Sequence, residues 1–117
     1  MLSVGPAVEV SIYVGDGAHD HHHAVAQSIL EFLFRQRVAG ATVFRGIAGF
    51  GAGHHLHGAG IEVFAGNLPV KIEFIETAAR VEELVPKLRE LVGEGMIARR
   101  DIEIVKPATT HSKEPAR

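Results

Sequence analysis

Gly40-Ala41-Thr42-Val43-Phe44-Arg45-Gly46-Ile47-Ala48-Gly49-Phe50-Gly51-Ala52-Gly53-His54-His55-Leu56-His57-Gly58-Ala59-Gly60 opens as a β-strand and dissolves into glycines and histidines. Val43, Arg45 and Ile47 alternate with Thr42 and Phe44, the period of a strand whose two faces meet different surroundings. The glycines that follow permit positive φ and let backbone N–H groups come close to a ligand. No acidic residue occurs between Glu31 and Glu62, whereas Arg35, Arg37, Arg45, His54, His55 and His57 all fall in that window. A guanidinium is a permanent, forked cation. The combination predicts a loop that receives an anion, with phosphate the first candidate. Arg45 has the parity of Val43 and Ile47, so it stands where an apolar side chain is expected. A ligand phosphate and an intersubunit carboxylate account for it equally well.

On the N-terminal side of this stretch, Val8, Val10, Ile12 and Val14 alternate with Glu9, Ser11 and Tyr13, a half-buried strand that Gly15-Asp16-Gly17 ends. Val25, Ala26, Ile29, Leu30, Phe32 and Leu33 then recur at helical spacing through about Val38. Asp20 is the expected cap of that helix and Gly40 the glycine just past its end. On the C-terminal side, Ile61-Glu62-Val63-Phe64 reads as a short strand or an arm of the loop. Gly66-Asn67 turns into a third long strand, Leu68 to Glu76, with Val70, Ile72 and Phe74 on one face. Thr77 caps a second helix whose apolar stripe is Val81, Leu84, Val85, Leu88, Leu91 and Val92. Glu83 and Lys87 add an i,i+4 pair on its wet face, and Pro86 should kink it. Gly93-Glu94-Gly95 stops the helix, and Asp101 to Lys106 forms a last strand.

The order β-α-β-β-α-β, with two helices for four strands, predicts an α+β, ferredoxin-like domain over residues 1–106. It has one antiparallel sheet and both helices on a single face. Residues 107–117 carry no periodicity and read as a flexible tail. The sheet face away from the helices would hold Glu9, Ser11, Tyr13, Thr42, Phe44, Lys71, Glu73 and Ile75. That set is too mixed for a core and too apolar for a purely solvated face, so a subunit interface is expected there.

Composition narrows the function classes. A 117-residue chain with 46% hydrophobic residues holds one core. A formal charge of −2 offers no basic footprint for nucleic acid. The chain has no cysteine, which removes disulfides and thiol chemistry. No apolar run reaches the roughly 20 residues of a membrane span. A cytoplasmic protein is expected.

The block Gly40 to Gly51 resembles the signature of the domain-of-unknown-function 190 family, within the nitrogen-regulatory PII-like superfamily. Ile12-Tyr13-Val14-Gly15, Leu68-Pro69-Val70, Gly95-Met96-Ile97 and His57 extend the resemblance over roughly residues 7–106. It implies a homotrimer with sheets packed inward and a long signalling loop, about residues 49–60, between the second and third strands. It further implies an adenine nucleotide in the clefts between subunits and signalling to a protein partner, often a membrane transporter or channel. On that footing Arg45 and the backbone of Gly46, Gly49 and Gly51, with Phe50 among them, hold phosphate. Gly95 and Met96 flank the base or ribose. The glycine turn before the last strand is shortened to Gly93-Glu94-Gly95-Met96-Ile97, and Glu94 adds negative charge. AMP or ADP is therefore expected in preference to ATP.

Other chemistry is weaker. Gly49-x-Gly51-x-Gly53 fails the dinucleotide fingerprint, since His54 stands where the pattern needs a different residue and no helix follows. It fails the P-loop because no Lys-Ser/Thr pair follows. There is no nucleophile motif, so no catalytic residue and no enzyme is expected. The alternative function is a trimeric metal-binding protein similar in outline to the CutA proteins, using His54, His55 and His57 with His22 and its neighbours His21 and His23. Adjacent histidines on a helix point apart, so the triplet alone is no chelate.

Overall fold

Every second residue from Val8 to Val14 and from Val70 to Phe74 is branched or aromatic. In the computed structural model these two runs lie side by side at the centre of one sheet. The structure describes residues 2–15, 19–20, 23–50, 56–57, 60–61 and 68–109. Four strands, β1 (Gly5–Gly15), β2 (Ala41–Arg45), β3 (Pro69–Glu76) and β4 (Met96–Ile104), form a sheet of order β2-β3-β1-β4. All three pairings are antiparallel. Helices α1 (Val25–Arg35) and α2 (Ala78–Val92) cover one face. This is the expected ferredoxin-like α+β arrangement.

The register lines up Val10 with Phe74, Ile12 with Ile72 and Val14 with Val70. The helices add Val25, Ile29 and Leu33 from α1 and Val81, Leu84, Leu88 and Val92 from α2. Phe74 is only 2% exposed, so its truncation to alanine should cost about 3–5 kcal/mol. Glu76 continues the same parity and is buried too. Its Oε2 accepts the Ala39 N–H at 3.1 Å and its Oε1 the Thr77 N–H at 3.2 Å. Arg80 ties the helices together by donating to the Gln36 carbonyl of the α1 C-terminus, while pairing with Glu83 at 2.9 Å.

Local signals fared unevenly. Thr77 caps α2, accepting the Arg80 N–H at 3.2 Å, and Gly93 ends it at φ 62°. The helix runs through Pro86, which lacks the N–H that would donate to the Glu82 carbonyl. Glu83 and Lys87 pair not with each other but with Arg80 and Glu90.

Helix α1 is shorter than its periodicity suggests. Asp20 does not cap it: Asp20 pairs with His23 in a small two-stranded ribbon, and Ala24 is the N-cap. At the other end the positive φ falls on Arg37, at 60°, rather than on Gly40. Arg37 donates to the Phe34 carbonyl at 3.1 Å and Val38 to the Leu33 carbonyl at 3.3 Å. That is a Schellman closure with an arginine at the position glycine usually takes.

The last strand begins at Met96, five residues before the expected Asp101, and ends at Ile104. Its alternation is masked because an edge strand carries charge on both faces. Of the expected tail, Pro107–Thr109 lie outside helix and strand and residues 110–117 lie outside the described residues. No helix among the described residues is long and apolar enough to cross a membrane.

Candidate functional site

Strand direction gathers three segments at one end of the sheet. Antiparallel pairing places the last residue of β2, the first of β3, the last of β1 and the first of β4 together there. The long β2–β3 connection, the β1–α1 connection and the Gly93–Gly95 turn all leave from this end. Arg45 closes β2 opposite Val70, with the parity of Ala41 and Val43 on the helix-bearing side. Val43 is nonetheless 41% exposed, because β2 is the sheet edge and the core stops short of it.

The root of the long connection is fastened to Pro69. The Gly46 N–H donates to the Pro69 carbonyl at 2.7 Å. A Cβ on Gly46 would lie 3.2 Å from the proline Cγ, and one on Gly49 2.9 Å from it. Gly49 also sits at φ +150°, where a side chain is strained. The Gly46 amide is thus engaged with the sheet, and both glycines are accounted for by close approach to a ring. Ile47 and Phe50 are exposed just beyond them. Leu56–His57 pairs with Gly60–Ile61 in a second small ribbon, so the arm expected at Ile61–Phe64 begins earlier. Gly51, His54, His55, His21 and His22 lie outside the described residues.

At the opposite edge, the turn between α2 and β4 borders an open hollow of about 370 Å³ lined by Arg89, Val92, Gly93, Gly95 and Ile97. A Cβ on Gly95 would collide with the Tyr13 carbonyl oxygen and come within 2.8 Å of Val92 Cγ1 and 2.9 Å of Val14 Cγ1. Met96 follows, 56% exposed and opposite Tyr13.

Arg45 and the Gly95–Met96 pair therefore share an end of the sheet but not an edge. Three strand-to-strand steps of about 4.8 Å separate β2 from β4, roughly 14 Å. Within one protomer the structure does not bring the two halves of the expected site together.

The face without helices carries Glu9, Ser11 and Tyr13 from β1, Thr42 and Phe44 from β2, Lys71, Glu73 and Ile75 from β3, and Met96, Ala98 and Arg100 from β4. The Arg100 Nε donates to Glu9 Oε1 at 2.6 Å, Lys71 pairs with Glu73 at 3.1 Å, and the Lys71 ammonium stands 5.6 Å from the centre of the Phe44 ring. The Arg100 hydrogen bond holds the Glu9 carboxyl below its ordinary value, against a smaller opposing effect of burial, with Glu73 and Lys71 adding to the lowering. The Glu73 hydrogen bond raises the Lys71 ammonium. Arg99, on the other face, donates to Glu82 of α2 at 2.6 Å. Arg99 and Arg100 are thus both engaged with carboxylates within the protomer.

Sequence reasoning missed Glu76, Arg89 and the Arg100–Glu9 pair. The strict alternation Val70, Ile72, Phe74 already pointed Glu76 inward. The other two depend on cross-strand register and on how a helix end meets a turn, which no linear pattern carries.

Comparison with known proteins agrees with this architecture. A UPF0166 protein of Methanocaldococcus jannaschii is 31% identical over 104 residues, covering 86% of this chain and 93% of the relative. A UPF0166 protein of Aquifex aeolicus is 41% identical over 58 residues, 50% of this chain and 60% of its own. The fold is shared with CPII, a nitrogen regulatory PII-like protein from Thiomonas intermedia K12. One CPII structure, bound to ADP, AMP and bicarbonate, superposes with a TM-score of 0.61 at 18% identity over 91% of this chain and 100% of CPII. Another, bound to ADP and bicarbonate, gives 0.59 at 20% identity over 92% and 96%. The sequence profile of the DUF190 family, described as uncharacterized ACR, matches residues 7–104, and the chain belongs to that family.

Proposed function

We propose that this protein is a PII-like regulator that binds an adenine nucleotide, AMP or ADP in preference to ATP, in clefts between copies of itself. The copies form a homotrimer through the helix-free sheet faces. Each cleft joins the Arg45 edge of one copy to the Gly93–Met96 edge of the next. The loop of about residues 49–60 carries the signal to a protein partner in the cytoplasm, such as a membrane transporter or channel, and the protein is not an enzyme. A switch of this kind needs a difference of ~1–3 kcal/mol in ligand affinity between two loop states.

The observation that carries this reading is the separation of Arg45 from Gly95–Met96. The two lie on opposite edge strands at one end of the sheet, a placement that suits completion by a neighbouring copy. The nucleotides bound by CPII support the ligand class, since that protein shares the fold. Titration calorimetry with AMP, ADP, ATP and bicarbonate, beside light scattering for the oligomeric state, tests it. Expected are a trimer and a nucleotide affinity tighter than about millimolar. A monomer that binds no nucleotide would overturn the reading. Zinc and copper belong in the same titration: saturable metal binding lost on changing His55 and His57 together would favour the metal-binding alternative.

A further inference from the structure

The β2–β3 register, Phe44 with Lys71 and Arg45 with Val70, brings Gly46 opposite Pro69. This is a hydrogen-bonded position of the ladder, since the Gly46 N–H donates to the Pro69 carbonyl at 2.7 Å. An antiparallel pair of that kind exchanges two bonds. Here the second cannot form, because Pro69 has no N–H to return to the Gly46 carbonyl. The ladder ends on half a pair.

Beyond it the chain leaves the register. Continued pairing would set Gly49 three positions upstream of Pro69, roughly 10 Å along the strand. Instead a Cβ on Gly49 would stand 2.9 Å from the Pro69 Cγ, and one on Gly46 3.2 Å from the same atom. The segment from Gly46 to Gly49 therefore curls over a single proline ring. Gly49 makes the curl at φ +150°, which suits glycine and strains other residues. Ile47, within the curl, and Phe50, just after it, are exposed.

Two properties of Pro69 account for this geometry. Its missing donor removes the bond that would draw the arms of the connection into a longer hairpin. Its ring supplies an apolar seat that two residues without side chains can approach. Proline inside a sheet is confined to edges, bulges and strand starts for the first reason, and Pro69 is the first residue of β3. We propose that Pro69 is a ladder stop. It halts pairing between the arms of the long connection at Gly46 and fixes the curl from Gly46 to Gly49 as the point from which the connection departs. The stop belongs to the sheet and does not depend on the nucleotide reading.

Amide hydrogen exchange followed by NMR in the wild type and Pro69→Val tests it, with a thermal melt confirming that the variant is folded. Valine restores the donor and favours a strand. The amide at position 69 should exchange at least about tenfold more slowly than an unstructured amide. Gly46 should also exchange more slowly than in the wild type, because the pair then closes with both bonds. Exchange at the unstructured rate at position 69 of the folded variant would overturn the proposal, since the glycines alone would then end the ladder. A second measurement reads the ring and needs no valine variant. The loss of melting temperature caused by Gly49→Ala should shrink to less than half in a Pro69→Ala background, where the ring atom nearest the new methyl is gone. Equal losses in the two backgrounds would show that Gly49 does not rest on the ring, and would overturn the proposal on that ground.

Discussion

Glu76, at the end of the central strand β3, receives the backbone N–H of Ala39 across a gap of 37 residues at 3.1 Å. Its second oxygen takes the Thr77 N–H at the entrance to α2. One buried carboxylate thus stabilises the approach to β2 and the start of α2 together, two backbone donors that would otherwise be under-satisfied.

Glu76→Ala should lower stability by about 2–3 kcal/mol, since it strands donors that now bond to a charged acceptor. Glu76→Gln, which keeps one carbonyl oxygen but turns an NH₂ toward the other donor, should lose less than half of that. Urea unfolding followed by circular dichroism gives both values. A neutral Glu76→Ala would show that water satisfies Ala39 and Thr77 as well as the carboxylate does.

Gly95→Ala and Gly93→Ala separate steric exclusion from backbone strain. At Gly95 the new methyl meets the Tyr13 carbonyl, Val92 and Val14, so the β1–β4 edge must shift, at about 2–3 kcal/mol. At Gly93 nothing lies within 4 Å and only the φ of +62° is unfavourable, which costs about 1 kcal/mol. The melting temperature of Gly95→Ala should fall clearly further. The reverse order would mean that the turn relaxes freely.

The Glu9–Arg100 pair makes a pH prediction. Because the folded Glu9 carboxyl titrates below its ordinary value, its contribution is fully present above about pH 4.3, where an unfolded glutamate is ionised. It is lost as pH falls through the lower folded value. Arg100 is largely exposed, at 74%, so the contribution should stay under about 1 kcal/mol. In Arg100→Ala the acid limb of a stability–pH curve should be shallower than in the wild type. Identical acid limbs would assign the pair no energetic role.

Ser11 lies near the middle of the helix-free face, between Ala98 and Glu73. An arginine there meets solvent in an isolated protomer and a partner surface in the proposed trimer. Ser11→Arg should therefore leave the far-ultraviolet spectrum unchanged while light scattering reports monomers. A trimer that survives the substitution would move the interface elsewhere.

The strands at the sheet centre were legible because burial on one face writes a period of two into Val8–Val14 and Val70–Phe74. The same logic failed at the margins. Helix α1 lost its first turn because Asp20 is paired with His23, a local competition that helical spacing does not reveal. Its end is closed by Arg37 with positive φ, although Gly40 was available three residues later. There the Val38 side chain, packed against the core, sets where the chain must turn. At the site, the end of β2 and the start of the long connection were readable from Arg45, Gly46 and Gly49. That Gly46 bonds to Pro69, and that Arg45 and Gly95 stand on opposite edges, emerges only once four strands are placed in order.

The roughly 14 Å between the β2 and β4 edges also bears on mass action. Under the proposed function, a ligand that touches both edges would find half a site on a lone protomer, so binding and assembly would become a single linked equilibrium. Dilution should weaken the apparent affinity, and ligand should lower the protein concentration at which copies associate. In the cell, such a molecule would register its own abundance as well as that of its ligand.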